Sequence, residues 1–403
     1  MLDKIFKKVF FVYLFMYPII PSKGIFAKAP ISDILLLIFM GVFFIKSISS
    51  KTERNIFKRR IQDLMKDSVF VTMMLAVIIM AISSSYAVSK TICFTEAFRF
   101  FSYVILYVAI KYEFNLSNNF SRYYLLITIQ SAIVFLGGII QKFTGWGVTV
   151  STNGTLRMES TVNYPTAFSA YIVIMIFPLI MFTIKSENKK IKAVCIMNII
   201  IGLISLVLSW SRNGWLAFIV GIVVLAIIYN YKFIYGIIGI GGISMLIPFI
   251  RERLVQLTSS EINGGRIKLW KIALKMIKEH PMRGVGAGNY VCLVDSYFKK
   301  YPELYAEGHE GFPTHNSYLK EWSEIGFFGM IIFFSSYIIL TIRTIKSNRF
   351  YSDKYLGLTT AVIASIFSFL FINLFDNMMF TPKVMTSFIM LVSLCTTIDS
   401  RAI

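Results

Sequence analysis

The chain has 403 residues, of which 56% are hydrophobic and only 15% are charged. This balance excludes a soluble globular protein, because the charged residues cluster between apolar runs about as long as the ~20 residues that a helix needs to cross a bilayer. The formal net charge of +20 would indicate nucleic-acid binding in a soluble chain, but here the basic residues lie in short loops between apolar runs. We therefore predict a membrane protein with no nucleic-acid partner.

The apolar runs predict an all-α polytopic membrane protein that forms a single integral membrane domain over residues 1–403, with about twelve transmembrane helices. The first run resembles a signal peptide, but Pro30 directly follows the cleavage-like Ala27-Lys28-Ala29, so we expect this run to be retained as a span. The predicted spans are 5–21, 31–46, 68–84, 94–111, 121–141, 163–184, 193–209, 213–230, 232–250, 317–342, 355–375 and 382–399.

Cysteine usage indicates neither a metal site nor a disulfide framework. The four cysteines have no metal-like spacing, and three of them lie within apolar runs. We accordingly predict that the protein has no metal and no cofactor.

Basic residues concentrate in three of the loops, 46–67, 185–192 and 343–354. With twelve spans, these loops and both chain termini fall on one side of the membrane, which the positive-inside rule makes cytoplasmic. The loop 142–162, the turn 209–213 and the segment 251–316 then face outward. Because ATP and sugar nucleotides are absent there, a reaction on this side needs a substrate that arrives already activated.

The segment 251–316, between the ninth and tenth spans, is predicted as one large extracytoplasmic loop. Within it, residues 262–279 have lysines on one arc and apolar residues on the other, which predicts an amphipathic helix lying against the membrane. Arg266 projects from the apolar side of this helix. It must either extend to the surface or bind an anion inside the protein, because an unpaired buried cation is costly. The three glycines at 284, 286 and 288 lack the dinucleotide-binding context and predict a tight turn.

Two further arginines, Arg157 and Arg212, are expected on the outer face, against the orientation rule. A guanidinium binds phosphate oxygens bidentately and stays charged at any relevant pH. Together with Arg266 they predict a clamp for a diphosphate that leaves during the reaction. The alternative is that these arginines pair with outer-face acids such as Glu159 or Glu261.

His315 stands at the start of the tenth predicted span, where helix dipoles favour a neutral imidazole that can accept a proton. This is what activation of a sugar hydroxyl requires, and the alternative is a capping or interfacial histidine. Glu324, inside the span, and Asp376, at the end of the eleventh, are functional candidates, since acids within a membrane are rare. Either acid could instead hold an arginine in place.

Residues 205–335 resemble the O-antigen ligase/polymerase superfamily of bacterial envelope glycosyltransferases. The resemblance rests on an ordered set of motifs that together cover this region. They are Ser211-Arg212 with Gly214-Trp215, Gly265-Arg266 with Trp270, Pro281 with Gly284-Val285-Gly286-Ala287-Gly288-Asn289, and His315-Asn316-x-Tyr318-Leu319 with Glu324, Gly326 and Gly329.

The resemblance implies a membrane fold of the C-type glycosyltransferase kind and transfer of a glycan from undecaprenyl diphosphate to an acceptor hydroxyl, without a metal. Arg212 and Arg266, and more loosely Arg157, are implied as diphosphate ligands. His315 is implied as the residue that activates or orients the acceptor, with Asn316 beside it. The implied partners are a lipid-linked glycan donor, membrane lipid, and either a growing glycan or lipid A–core as acceptor.

The motifs do not separate ligases, which pass a finished polymer to lipid A–core, from polymerases, which extend a lipid-linked repeat. The implied location is the bacterial cytoplasmic membrane, with the active site facing outward. A different class of function, a transporter or flippase for a lipid-linked or anionic solute, would place its charges near the middle of the membrane and have paired interrupted helices.

Overall fold

The computed structural model describes residues 2–21, 31–113, 116–150, 154–162, 164–246, 260–347, 353–395 and 397. Apart from one two-stranded hairpin, β1 (Thr149–Val150) and β2 (Leu156–Arg157), the regular structure of these residues is helical. Short 3₁₀ turns lie at Ser83–Ser85, Pro302–Leu304 and Met378–Phe380. The α-helices are α1 (Leu2–Met16), α2 (Ile31–Ile48), α3 (Lys51–Leu64), α4 (Ser68–Ile82), α5 (Lys90–Glu113), α6 (Leu116–Thr144), α7 (Pro165–Lys185), α8 (Lys189–Leu208), α9 (Arg212–Ile228), α10 (Phe233–Leu246), α11 (Ser260–Glu279), α12 (Tyr290–Lys300), α13 (Ser317–Ser347), α14 (Asp353–Ile372) and α15 (Pro382–Cys395).

Seven helical segments of the described chain are long and apolar enough to cross a membrane. They are Ile31–Ile48, Ser68–Ser85, Lys90–Glu113, Tyr123–Thr144, Pro165–Lys185, Lys189–Leu208 and Ser317–Ser347. Three shorter apolar helices accompany them, Arg212–Ile228, Leu356–Ile372 and Pro382–Cys395. The predicted all-α membrane architecture is thereby confirmed, while the count of twelve spans stays a prediction.

Helix α7 lies at the centre of the bundle, where α8, α9 and α14 pack around it. In its most apolar stretch 83% of the residues are buried, against 28% in that of α8. Such burial is expected for a helix that is apolar on every side. Two glycines of α9 permit close approach to α7, since a Cβ at Gly214 would lie 2.4 Å from Ser169 and one at Gly221 would lie 2.1 Å from Phe177. This packing fixes the position of the turn that precedes α9.

Helix α13 is broken at Gly326, whose backbone has φ 72° and ψ −178°. The glycine-rich turn, residues 281–288, precedes α12 and lies across this break. It forms hydrogen bonds with the backbone of α13 on both sides of the break. Val285 N donates to Ser323 O (2.9 Å), and Gly286 N donates to Glu324 O (2.8 Å). Phe327 N donates in turn to Pro281 O at 2.9 Å. The turn that the glycines predicted is therefore a site of backbone contact with α13.

Helix α11 buries its apolar face against protein. Leu269, Ile272, Ala273 and Met276 are all fully buried, in a cluster that also contains Tyr290 and other residues of α12. Helices α12 and α13 thus cover much of the apolar face predicted for residues 262–279, while Leu274 of the same helix is 49% exposed. That this helix lies against the membrane stays a prediction. The first part of the predicted 251–316 loop, residues 251–259, lies outside the described residues.

Candidate active site

The start of α13 places His315 beside Asp376. Asn316 caps the helix, because its Oδ1 accepts hydrogen bonds from the backbone N–H groups of Tyr318 and Leu319, both at 2.9 Å. His315, one residue earlier, has a left-handed backbone with φ 50°. Its Nδ1 lies 3.2 Å from Oδ1 of Asp376 in the loop between α14 and α15. The imidazole is 22% exposed, whereas the carboxyl is 6% exposed.

The Asp376 carboxyl is set up to act as an anion toward His315. Burial raises its pKa, but the hydrogen bond with His315 and the charges of His315 and Arg266 outweigh burial and hold the pKa below its ordinary value. A carboxylate that accepts a hydrogen bond from Nδ1–H selects the tautomer in which Nε2 is the proton acceptor. The pair thus has the arrangement that a general base needs.

Arg266 reaches the same loop from α11. Its Nη1 donates to the carbonyl oxygen of Phe375 at 3.1 Å, and Nδ2 of Asn213 donates to the same oxygen at 3.3 Å. The ring of Trp270, one turn after Arg266, lies 6.4 Å from the Phe375 ring. The loop 373–377 therefore brings together Arg266, the start of α9 and the His315–Asp376 pair.

Arg157 and Arg212 lie at the turn before α9. Nε of Arg157, in β2, donates to Ser209 O at 3.2 Å, three residues before Arg212, the first residue of α9. Ser211 caps α9 by accepting a hydrogen bond from Gly214 N at 3.3 Å. Through Asn213, this turn is joined to Phe375 and so to the loop that holds Asp376.

Glu324 lies apart from these residues and holds the glycine-rich turn. Its Oε2 accepts hydrogen bonds from Gly288 N (2.6 Å) and from Lys320 Nζ, and its Oε1 accepts one from Tyr290 N (3.2 Å). Its side chain is 1% exposed. Of the two acids considered as holders of an arginine, Asp376 is the one that interacts with Arg266.

Asn213 and Asn373 were not singled out from the sequence. Asn373 Oδ1 accepts hydrogen bonds from Ser317 Oγ (2.6 Å) and Met379 N (2.9 Å), which ties the loop 373–377 to the start of α13. Asn213 carried a signal in the sequence, since it lies between Arg212 and Gly214 of one of the motifs that carry the resemblance. Asn373 carried none, because an asparagine near the end of an apolar run has many structural roles.

The described residues contain no group of three or more histidine, cysteine, aspartate or glutamate side chains that could hold a metal ion. What the arrangement offers instead is a histidine–carboxylate pair beside an arginine of α11 that donates a hydrogen bond to the same loop. These groups can accept a proton and can bind an anion.

Fold and site together define a multi-pass helical membrane protein in which a histidine–carboxylate pair and an arginine meet at the loop 373–377. Residues 197–334 match the family model described as O-Antigen ligase, which confirms the resemblance to the O-antigen ligase/polymerase superfamily. The matched region contains Arg212, Arg266 and His315, while Arg157 and Asp376 lie outside it. The match indicates a role in O-antigen ligation or polymerisation. No curated protein matches the chain.

Proposed function

We propose that this protein transfers or polymerises glycan from an undecaprenyl-diphosphate-linked oligosaccharide onto an acceptor hydroxyl, in the synthesis of O-antigen or another surface polysaccharide. The observation that carries the proposal is the His315–Asp376 pair, whose Nδ1 and Oδ1 atoms lie 3.2 Å apart. Asp376 lies on the loop 373–377, which also accepts a hydrogen bond from Arg266. Both His315 and Arg266 lie in the region that matches the O-antigen ligase family.

In the proposed reaction, Nε2 of His315 takes the proton from the acceptor hydroxyl as its oxygen attacks the anomeric carbon of the donor sugar. A new glycosidic C–O bond forms, and the bond from the anomeric carbon to the diphosphate oxygen breaks. Undecaprenyl diphosphate leaves with the electron pair, and a single displacement of this kind inverts the anomeric centre. Asp376 stabilises the imidazolium that forms, as a carboxylate on Nδ1 does in other histidine bases.

Arg266, Arg212 and Arg157 are proposed as ligands of the diphosphate. The Nη1 bond of Arg266 to Phe375 O orients a guanidinium that has five N–H donors in all. Arginines preorganised around the leaving group neutralise the charge that develops on it, and no metal is needed for this role. Asn316 and Glu324 are proposed to support the site by capping α13 and by holding the glycine-rich turn.

The reaction is proposed to occur on the outer face of the bacterial cytoplasmic membrane, with both chain termini in the cytoplasm. Support comes from the basic loops that the positive-inside rule assigns to the cytoplasm. The glycan donor, membrane lipid and either a glycan or lipid A–core acceptor are the proposed partners. The lipid-linked donor is activated in advance, so no nucleotide is needed at this face.

A transporter or flippase of a lipid-linked or anionic solute is the second candidate. The observation that favours it is a group of charged side chains between α5 and α13, where Lys320 interacts electrostatically with Glu96, Glu321 and Glu324. Glu321 is fully buried, and neither carboxyl oxygen has a hydrogen-bond partner among the described residues. Charges inside a membrane bundle are common in transport pathways.

The test uses purified protein in lipid, supplied with a synthetic undecaprenyl-diphosphate oligosaccharide and neither metal nor nucleotide. Products are resolved by size for the wild type and for His315→Ala. A ladder of products that disappears in the variant supports a polymerase with His315 in the chemistry. Transfer that occurs only with added lipid A–core supports a ligase.

Inertness with every acceptor, while the lipid-linked substrate still binds, would contradict glycosyl transfer. Movement of the substrate between the leaflets of a vesicle would then favour the transporter. A wild-type level of product from His315→Ala would still support glycosyl transfer, but it would show that His315 is not needed for the reaction.

A further inference from the structure

Helix α3 is held at the membrane surface by the helices on either side of it. It begins at Lys51, three residues after α2 ends, and ends at Leu64, four residues before α4 begins. The segments Ile31–Ile48 and Ser68–Ser85 are both long and apolar enough to span. Since both ends of α3 are tied to the same surface, its 14 residues, roughly 21 Å of helix, run along that surface.

One side of α3 is docked on the bundle. Leu64 is 2% exposed, and the ring of Phe57 packs edge-on against Phe43 of α2 at 6.4 Å. Arg60 pairs with Glu113 of α5 at 2.7 Å. These contacts fix the rotation of the helix and thereby determine which residues face away from the protein.

The free side carries a narrow arc of cations and apolar side chains. At 100° per residue, Ile61, Arg54, Met65, Lys58 and Lys51 fall within ~80° of one another. All five are exposed, with Ile61 at 39% and Met65 at 63%. Among the residues that the structure describes, Lys51 and Lys58 form no ion pair, and Arg54 bonds only the Ser50 carbonyl.

We propose that this arc of α3 is a binding site for the headgroups of anionic phospholipids, with Ile61 and Met65 inserted among the acyl chains. Cations that alternate with exposed apolar side chains on one helical arc are the pattern of an interfacial helix on an anionic membrane. The helix is already fixed at the bilayer surface, so headgroup phosphates are the anions next to it. The inference does not depend on the proposed glycosyl transfer or on which leaflet α3 faces.

The first test measures insertion. The full chain with Cys292→Ser, which removes the exposed native cysteine, carries a fluorophore at either Met65→Cys or Thr52→Cys and is reconstituted with lipids brominated on their acyl chains. Thr52 lies ~140° from Met65 around the helix. We expect strong quenching at position 65 and weak quenching at position 52. Equal quenching at the two positions, or stronger quenching at 52, would overturn the proposal.

The second test measures the response to lipid charge. Melting temperatures are compared in phosphatidylcholine vesicles with and without phosphatidylglycerol, for the wild type and for Lys51→Gln/Arg54→Gln/Lys58→Gln. The control, Lys189→Gln/Lys190→Gln/Lys192→Gln, removes the same charge from exposed lysines in the first turn of α8. We expect phosphatidylglycerol to raise the wild-type melting temperature by several degrees, the α3 variant to lose most of this gain and the control to keep most of it.

A full gain in the α3 variant would overturn the proposal. So would an equal loss in both variants, since the effect would then come from total charge. If soluble polyglutamate reproduces the gain in pure phosphatidylcholine vesicles and phosphatidylglycerol does not, the arc binds acidic protein and the lipid assignment is wrong.

Discussion

At the scale of single residues, the candidate site depends on a histidine with an unusual backbone. The φ of 50° at His315 costs about 1 kcal/mol for a residue with a Cβ, and the surrounding bonds hold it. Asn316 N donates to Thr314 Oγ1 at 3.3 Å, and Ser317 N donates to Asn373 O at 2.9 Å. Strain that is maintained in this way often accompanies a functional role.

Asp376→Asn tests the histidine–carboxylate pair. An amide at this position can present an N–H to Nδ1 and so favour the wrong tautomer, and it cannot balance an imidazolium. We expect turnover to fall by about 100-fold or more, with a much smaller change in donor binding. The measurement is kcat in the lipid-linked oligosaccharide assay, and turnover close to that of the wild type would remove Asp376 from the mechanism.

Arg266→Lys tests the diphosphate clamp. A lysine preserves the charge but loses the bidentate geometry and the bond to Phe375 O. We expect a loss of about 100-fold in kcat/KM, equivalent to about 2.7 kcal/mol. Lys271→Arg, on an exposed position of the same helix, is the matched control and should leave kcat/KM unchanged. Near-normal turnover in Arg266→Lys would count strongly against the clamp.

At the scale of elements, the crossing of the glycine-rich turn and α13 determines where the start of α13 lies. A Cβ at Gly284 would lie 2.4 Å from the Glu324 backbone, and one at Gly326 would lie 2.0 Å from Met282 O. Glu324 adds its side-chain hydrogen bonds to Gly288 and Tyr290. The loop that follows α11 and the broken helix are thus locked together by backbone contacts that permit no side chain.

Gly284→Ala and Gly308→Ala separate steric contact from backbone strain. Both glycines have a positive φ, 69° and 73°, but a Cβ at Gly308 would meet nothing within 4 Å. We expect Gly308→Ala to cost about 1 kcal/mol through its backbone alone. Gly284→Ala should lower the melting temperature considerably more, because the methyl group must displace α13. Equal decreases in melting temperature for the two variants would show that a methyl group at position 284 fits between the turn and α13.

At the scale of the whole molecule, α13 joins the candidate site to the opposite end of the bundle. Ser317 begins the helix at the site, and Arg343 lies near its other end, beyond the break at Gly326. There Asp67, 3% exposed, binds Arg343 at 2.6 Å, Lys111 of α5, and the Tyr107 hydroxyl at 2.7 Å. Asp67 also caps α4 through Val69 N at 3.0 Å. One carboxylate thereby connects α4, α5 and α13 next to the end of α3.

Asp67→Asn removes this charge but retains an oxygen that can cap α4. Because two cations then lose their common partner, we expect the free energy of unfolding to fall by about 3 kcal/mol. Asp63→Asn, an exposed acid of α3, is the matched control and should change stability little. Loss of stability in the control and not in Asp67→Asn would contradict the described network.

The difference in stability between the wild type and Asp67→Asn is predicted to depend on pH. Burial raises the pKa of Asp67, but its hydrogen bonds with Lys111 and Tyr107 and the nearby charges lower it to about 2. A carboxyl whose pKa is lower in the folded state stabilises the fold above its unfolded value of about 3.9, and this contribution is lost as the pH falls toward 2. The difference in melting temperature between the wild type and Asp67→Asn should therefore shrink below about pH 4. A difference that stays constant from pH 7 to pH 3 would contradict the assignment.

The sequence alone determined the membrane character and the resemblance to the O-antigen ligase/polymerase superfamily, because hydropathy and short motifs are local properties of the chain. Apolar runs of span length and the ordered motifs around Arg212, Arg266 and His315 were enough for both. The same local pattern could not decide what covers the apolar face of α11, since periodicity reveals such a face without revealing how much of it protein covers.

Only the tertiary structure decided which residues meet. Asp376 reaches His315 across 61 positions, and Arg266 and Asn213 reach Phe375 O across 109 and 162. Glu324 and Asp376 resemble each other as acids at apolar runs, yet one holds a backbone turn and the other a histidine. Such pairings follow from how α9, α11, α13 and α14 pack, and packing depends on contacts between distant parts of the chain.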